Sequence, residues 1–189
     1  AAEIRRAAAA LEGPAAREGY DVRPLHGDLP AEEQDRAVRP GPRPRVILAT
    51  NVAEASITVE GVEAVIDSGL ARIARHDPRT ELNRLVTARI SRASAAQRAG
   101  RAGRTGPGRC VRLYGDAALA RMPEEAEPEV RRIELSEPVL RILGWGAADP
   151  RTFPWLDPPP AERVERALSL LGRLGAAEPA RGGAASPEA

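Results

Sequence analysis

The densest chemistry in the sequence lies in residues 97–104, QRAGRAGR. On a helix, Gln97, Arg101 and Arg104 recur at i, i+4 and i+7 and share one face, an amide beside two guanidiniums, while Arg98 points elsewhere. Planar guanidiniums bind phosphate oxygens through paired N–H donors. Two aimed at one spot suit a polyphosphate whose charge grows in a transition state. Gly100 and Gly103 sit within this segment, and a glycine inside a helix costs roughly 1 kcal/mol relative to alanine. That cost implies a purpose, which is close approach to a neighbouring backbone or to a ligand's phosphates. The competing account is an exposed Arg-rich helix that its glycines weaken.

Charge supports the first account. Residues 72–112 hold 11 Arg against Asp77 and Glu81, a balance of +9, whereas residues 1–71 and 113–189 each balance at −4. One internal block therefore concentrates an anion-attracting field within a chain whose net charge is only +1. All 28 basic residues are Arg, and the sequence contains no lysine.

The scaffold is legible in outline. Residues 2–12 have a helical apolar face through Ile4, Ala8 and Leu11, and the Gly13-Pro14 pair is expected to end it. A short strand is expected at 22–25. Pro30 then suits the first position of a short helix with Glu32 and Glu33 in its first turn. Residues 45–50 (RVILAT) and 62–67 (VEAVID) are apolar runs of the kind found in strands buried on both faces. Residues 70–75 and 84–90 read as a hairpin around the DPRT turn at 77–80. A helix from about Ser94 and a strand at 110–114 complete an α/β pattern with a largely parallel sheet.

Beyond Tyr114 the character changes. Residues 122–130 form an acidic connector. Apolar stripes through Leu135, Val139, Leu140, Ile142 and Leu143, and through Val164, Leu168, Leu171 and Leu174, predict two packed helices. Trp145, Phe153 and Trp155 sit between them and read as core more readily than as base-stacking platforms. The tail at 177–189 has little to bury and is expected to be disordered. Cys110 is the single cysteine, which excludes an internal disulfide and reads as a small buried residue. With only His26 and His76 beside it, no zinc cluster of familiar spacing can be assembled, so no metal ligands are assigned. No apolar stretch is long enough to span a bilayer, and a cytoplasmic setting is expected.

The stretch QRAGRAGRTGPG at 97–108 resembles motif VI of the DEAH-box helicases, a superfamily 2 group of nucleic-acid-stimulated NTPases. Residues 50–62 (TNVAEASITVEGV) resemble motif V, and residues 65–93 resemble the segment joining the two, with a DPRT turn and RLVT strand similar to the bacterial HrpB-type members. Residues 135–160, with LGWGAADP and WLDPPP, are similar to the start of that group's winged-helix domain.

The resemblance implies a RecA-like second motor domain over 1–121 that lacks its first strand, the connector at 122–130, and the start of a winged-helix domain over 131–176. Arg101 and Arg104 would be arginine fingers reaching the γ-phosphate of ATP held with Mg²⁺ by a first RecA-like domain of the same full-length protein, and Gln97 would place the attacking water. Ser56, Glu60 and Gly100 would lie at the nucleotide. The family often has Asp at the position of Glu60. Thr50, Asn51, His26 and Gly27 would face single-stranded RNA. For Thr50 and Asn51 the alternative is a strand end capping the next helix. For His26 it is an ordinary strand-end histidine, and Glu54 is open to a structural role.

A motor of this class also needs a P-loop lysine and a DEAH tetrad, and this sequence has neither. The resemblance therefore implies that this polypeptide alone does not hydrolyse ATP and that a buried strand precedes residue 2 in the family. The alternative function is a non-enzymatic RNA- or partner-binding module that shares the motor's ancestry.

Overall fold

The computed structural model describes residues 2–55, 57, 59–104 and 106–177. Ser56 and the tail from 178 onward lie outside the described residues, and with them the nucleotide-contact expectation at Ser56 and most of the disordered-tail expectation. The chain divides into two compact units. One comprises residues 1–73 and 87–126, the other residues 74–86 and 127–189.

In the first unit, helix α1 (Ala2–Arg17) is longer than expected, because Pro14 lies inside it rather than ending it. Proline forfeits one backbone bond there. The helix continues because Ala15 is buried, and the chain turns only at Gly19, whose φ of 77° suits glycine. Strand β1 (Asp21–Leu25) follows. Pro30 stands just ahead of helix α2 (Ala31–Val38), at its N-cap rather than its first helical position. Arg39, which precedes Pro40, is extended at ψ 139° and stops the helix.

Strand β2 (Arg45–Ala49) pairs in parallel with β1, from Asp21 opposite Arg45 to Leu25 opposite Ala49. Its first four residues are half-buried and Ala49 is exposed, rather than the strand being sealed on both faces, and β1 is its one strand neighbour among the described residues. Helix α3 (Val52–Ala55) leads to strand β3 (Ala64–Asp67), which pairs in parallel with β6 (Arg109–Arg112). The α/β class with parallel strands and a hairpin is as expected.

The hairpin strands, β4 (Leu70–Asp77) and β5 (Leu82–Arg89), run further toward their turn than periodicity indicates. Asp77 is why the turn is sharp: its Oδ1 accepts the Arg79 N–H at 3.0 Å and its carbonyl accepts from Thr80 and Glu81. Helix α4 (Arg92–Ala99) is capped by Ser91, whose Oγ accepts the Ser94 N–H at 3.1 Å. Ile90, Ala95 and Met122 form a small core under Ala71, Tyr114 and Leu119. Helix α5 (Asp116–Ala120) is short enough that no periodic signal announces it.

The second unit is built on helices α6 (Ser136–Gly144) and α7 (Ala161–Arg173), with a 3-10 turn at Glu129–Arg131. Leu135, Val139, Val164, Ala167 and Leu171 form its core, with Leu143 and Leu168 against it. Leu174 and Leu140, assigned to the stripes, are exposed.

Trp145 departs from the core expectation, being 85% exposed. Helix α6 ends before the apolar stripe reaches that residue, and Gly146 turns the chain away at φ 91°. Phe153 and Trp155 do pack, edge to face with ring centroids 5.3 Å apart, and the Trp155 indole donates to the Pro150 carbonyl at 3.0 Å. Cys110 is half-buried.

Candidate nucleotide and nucleic-acid site

Helix α4 delivers the arginine segment, but it stops at Ala99. Gly100 caps it, its N–H meeting the Ala96 carbonyl at 2.9 Å, and tight turns follow through Ala102. Gly103 is left-handed at φ 84° and its N–H points to the Val62 carbonyl at 3.4 Å. The single helical face expected for Gln97, Arg101 and Arg104 therefore does not form. Gln97 is on α4, Arg101 in the turn, and Arg104 in the bend beyond.

The cause is the return to β6. A Cβ on Gly108 would lie 2.3 Å from the Gly103 nitrogen, so residues 103 and 108 must cross backbone on backbone. Gly103 and Gly108 serve close approach to a backbone, one of the two purposes the cost of such glycines implies, whereas a Cβ on Gly100 would meet only the Ala96 and Gln97 carbonyls, at 3.4 and 3.5 Å.

The arginines divide their work. Arg98 is the organising one. Its Nε donates to Glu54 Oε2 at 2.9 Å, and its Nη1 donates to Asp67 Oδ1 at 2.9 Å and to the Leu70 carbonyl at 3.0 Å. Asp67 is 1% exposed and also accepts from the Gly69 N–H at 2.9 Å and the Tyr114 hydroxyl at 2.7 Å. Burial pushes the Asp67 carboxyl up, but the Tyr114, Gly69 and Arg98 donors outweigh it and hold the group below its ordinary value. Tyr114, losing solvent and facing that carboxylate, is pushed up to about 12. Gly69 permits the arrangement, since a Cβ there would lie 2.7 Å from the Tyr114 ring.

Arg101 reaches the end of α3. Its Nη1 donates to the Ile57 carbonyl at 3.2 Å and its Nη2 to the Glu54 carbonyl, while its Nε is buried without a hydrogen-bond partner. Residues 97–101 and 54–57 are thereby tied together across more than forty positions of sequence, and Glu54 has the structural role that was open to it. Arg104 is exposed.

The carboxyl ends of β1 and β2 gather a second group. The Thr50 N–H donates to the Leu25 carbonyl at 3.1 Å, which sets 25–27 beside 50–51. Thr50 also opens α3: its Oγ1 stands 3.5 Å from the Val52 N–H and its carbonyl accepts from Ala53. Asn51 and Gly27 are exposed. The His26 ring is nearly enclosed, with Nδ1 lacking a hydrogen bond and Asp28 Oδ2 at 3.6 Å. Glu60 is exposed in the turn completed by Gly61 at φ 71°.

Sequence reasoning missed Asp67 and Tyr114. The signal was an acid ending an apolar strand run, which needs a buried cation, and Arg98 was the arginine with no place on the proposed face. Among the described residues no group of three or more His, Cys, Asp or Glu could hold a metal ion, and no helix is long and apolar enough to cross a membrane.

The helicase conserved C-terminal domain family matches residues 2–106. The ATP-dependent RNA helicase HrpB of Escherichia coli (strain K12) is 44% identical over 87% of this chain and 21% of its own length. The HrpA homolog of Haemophilus influenzae is 40% identical over 93% of this chain and 13% of its own length. Among solved structures, the Escherichia coli DEAH/RHA helicase HrpB superposes with a TM-score of 0.80 at 40% identity, over 94% of this chain and 23% of that one. The chain thus spans less than a quarter of the length of each of these relatives.

Proposed function

The chain belongs to the helicase conserved C-terminal domain family, and on that premise we propose that it is the second motor half of an ATP-dependent RNA helicase. Its unit of residues 1–73 and 87–126 meets a first RecA-like domain of the same full-length protein across ATP. Arg104 and Arg101 neutralise the charge that develops on the γ-phosphoryl group, and Gln97 orients the attacking water. Glu60 and Gly100 complete the nucleotide side. Thr50, Asn51, His26 and Gly27 meet single-stranded RNA at the carboxyl ends of β1 and β2, where ligands of open α/β sheets bind. In this reading the other half of the motor supplies the Mg²⁺ site, along with the lysine that this sequence lacks. The isolated chain is expected to be inert toward ATP for that reason.

One observation supports this reading above the rest: Arg98 and Arg101 bind the segment that resembles motif VI to the one that resembles motif V. Arg101 must exchange two neutral carbonyls for a phosphate. What the phosphate adds over the carbonyls is its own charge, which pairs with the guanidinium as well as accepting its N–H donors.

The same internal bonds favour a second reading, in which Arg101 only braces α3 and the chain is a binding module. RNA-stimulated ATP turnover of the full-length protein separates the two. Arg104→Ala and Arg101→Ala should each cost about 10³- to 10⁵-fold in turnover while RNA binding persists. Wild-type turnover in both variants would rule out the fingers, and lost stability with unchanged turnover in Arg101→Ala would favour the brace.

A further inference from the structure

The second unit carries a concentration of arginines that the proposed motor chemistry does not use. Arg75 and Arg84 come from the hairpin, Arg132 from the chain after the 3-10 turn, and Arg163 from the first turn of α7. All four line one pocket of about 350 Å³ within that unit. This volume is at the small end of the ~300–1,000 Å³ usual for ligand pockets.

Compensation in the pocket is incomplete. Arg75 faces Glu127 at 3.5 Å and Arg84 faces Asp77 at 3.4 Å, so each has one loosely held carboxylate. Among the described residues Arg132 and Arg163 have none: Arg132 donates to the Glu127 and Ala74 carbonyls, and Arg163 donates to the Ile133 carbonyl at 3.2 Å. Four guanidiniums against two carboxylates leave an excess of two positive charges around a concave space. The backbone carbonyls orient Arg132 and Arg163 without neutralising them, and each retains N–H donors that meet no acceptor among the described residues. Preoriented, uncompensated guanidinium forks are the chemistry that recognises a phosphate dianion or diester.

We propose that this pocket is an anion site that takes a phosphate group, with Arg132 and Arg163 as its principal donors and Arg75 and Arg84 tuning its field. Two sources share that chemistry, a phosphodiester of single-stranded RNA and free phosphate. The site requires neither ATP nor the fingers, and only its RNA source rests on the motor reading.

The test measures binding of a uridine oligonucleotide to the full-length protein without nucleotide, over a range of salt, for wild type and Arg132→Gln/Arg163→Gln. Glutamine removes the charge and places an amide N–H where the Nε stood, which can retain the Arg132 bond to the Glu127 carbonyl but not the Nη1 bonds, and an unchanged circular dichroism spectrum and melt confirm the fold. If RNA supplies the phosphate, the variant binds roughly 10- to 100-fold more weakly, and the log–log salt slope becomes shallower by about 0.7 for each phosphate no longer neutralised. If free phosphate is the source, RNA binding is unchanged, and inorganic phosphate at constant ionic strength raises the wild-type melting temperature but not the variant's. Unchanged RNA affinity and slope together with no phosphate-dependent melt in the wild type would overturn the proposal. RNA-stimulated ATP turnover by Arg104→Ala is read separately, so a failed finger assignment leaves this outcome interpretable.

Discussion

At the scale of single residues, Asp67 shows how a buried charge is made tolerable. Its side chain is closed to solvent, and three donors stand in for hydrating water. Removing one partner of such a pair leaves the other stranded, which typically costs about 3–5 kcal/mol, so Arg98→Ala should destabilise the first unit by that order. Tyr114→Phe leaves Arg98 and Gly69 in place and should cost ~1–3 kcal/mol. Denaturant midpoints at constant slope would check both.

The same network sets a pH dependence. The Asp67 carboxyl is lowered from 3.8 in the fold, so its contribution is present above that value and is lost as pH falls below it toward the folded pKa. Tyr114 is raised from 10.0 to about 12, so its contribution is complete below pH 10 and disappears as pH rises toward 12. Melting temperature should therefore decline on both flanks. Tyr114→Phe should remove the part of the alkaline decline due to this tyrosine and reduce the acid one. Identical pH profiles for the two proteins would contradict the network.

At the scale of elements, glycine decides what the sequence can and cannot reveal. Gly13-Pro14 reads as a helix end, yet α1 continues to Arg17 because Ala15 finds a buried seat. Gly100 reads as a helix interior, yet it ends α4, because the chain must turn back into β6. A capping glycine and an interior one are the same letter, and the tertiary partner that distinguishes them lies far along the chain. The DPRT turn was legible because its cause is local, Asp77 bonding to its own successors. The segments that resemble motifs V and VI were legible as patterns, but of the two side chains that join them, Arg98 lies off the face that helical spacing picks out. The turn from 103 to 108 offers a test of this account. Gly108→Ala drives a methyl into backbone at 2.3 Å and should cost roughly 1–3 kcal/mol and displace Arg104. Gly103→Ala is strained by its φ of 84° and should cost about 1–2 kcal/mol. Gly106→Ala meets nothing within 4 Å and should stay within about 0.5 kcal/mol of wild type.

At the scale of the whole molecule, each unit has its own apolar cluster. Ile90, Ala95 and Met122 serve the first, while Leu135, Val139, Val164, Ala167 and Leu171 serve the second. The residues proposed as fingers and as RNA contacts belong to the first unit, and the four pocket arginines belong to the second. Withdrawing stability from one unit is therefore expected to leave the residues of the other in place. Leu135 is 1% exposed, and Leu135→Ala should cost about 2–5 kcal/mol, because the cavity adds to the forfeited burial. Hydrogen exchange resolves where that destabilisation falls. Amides of residues 74–86 and 127–177 should lose protection, including those of α6 and α7, while those of β1, β2 and α4 keep theirs. The hairpin makes the comparison sharp, because its distal residues from 74 to 86 should follow the second unit and its residues from 87 onward the first. Protection falling equally in both units would mean that the clusters unfold as one, and that a single cooperative core, rather than two, holds the arginines of both proposed sites in place.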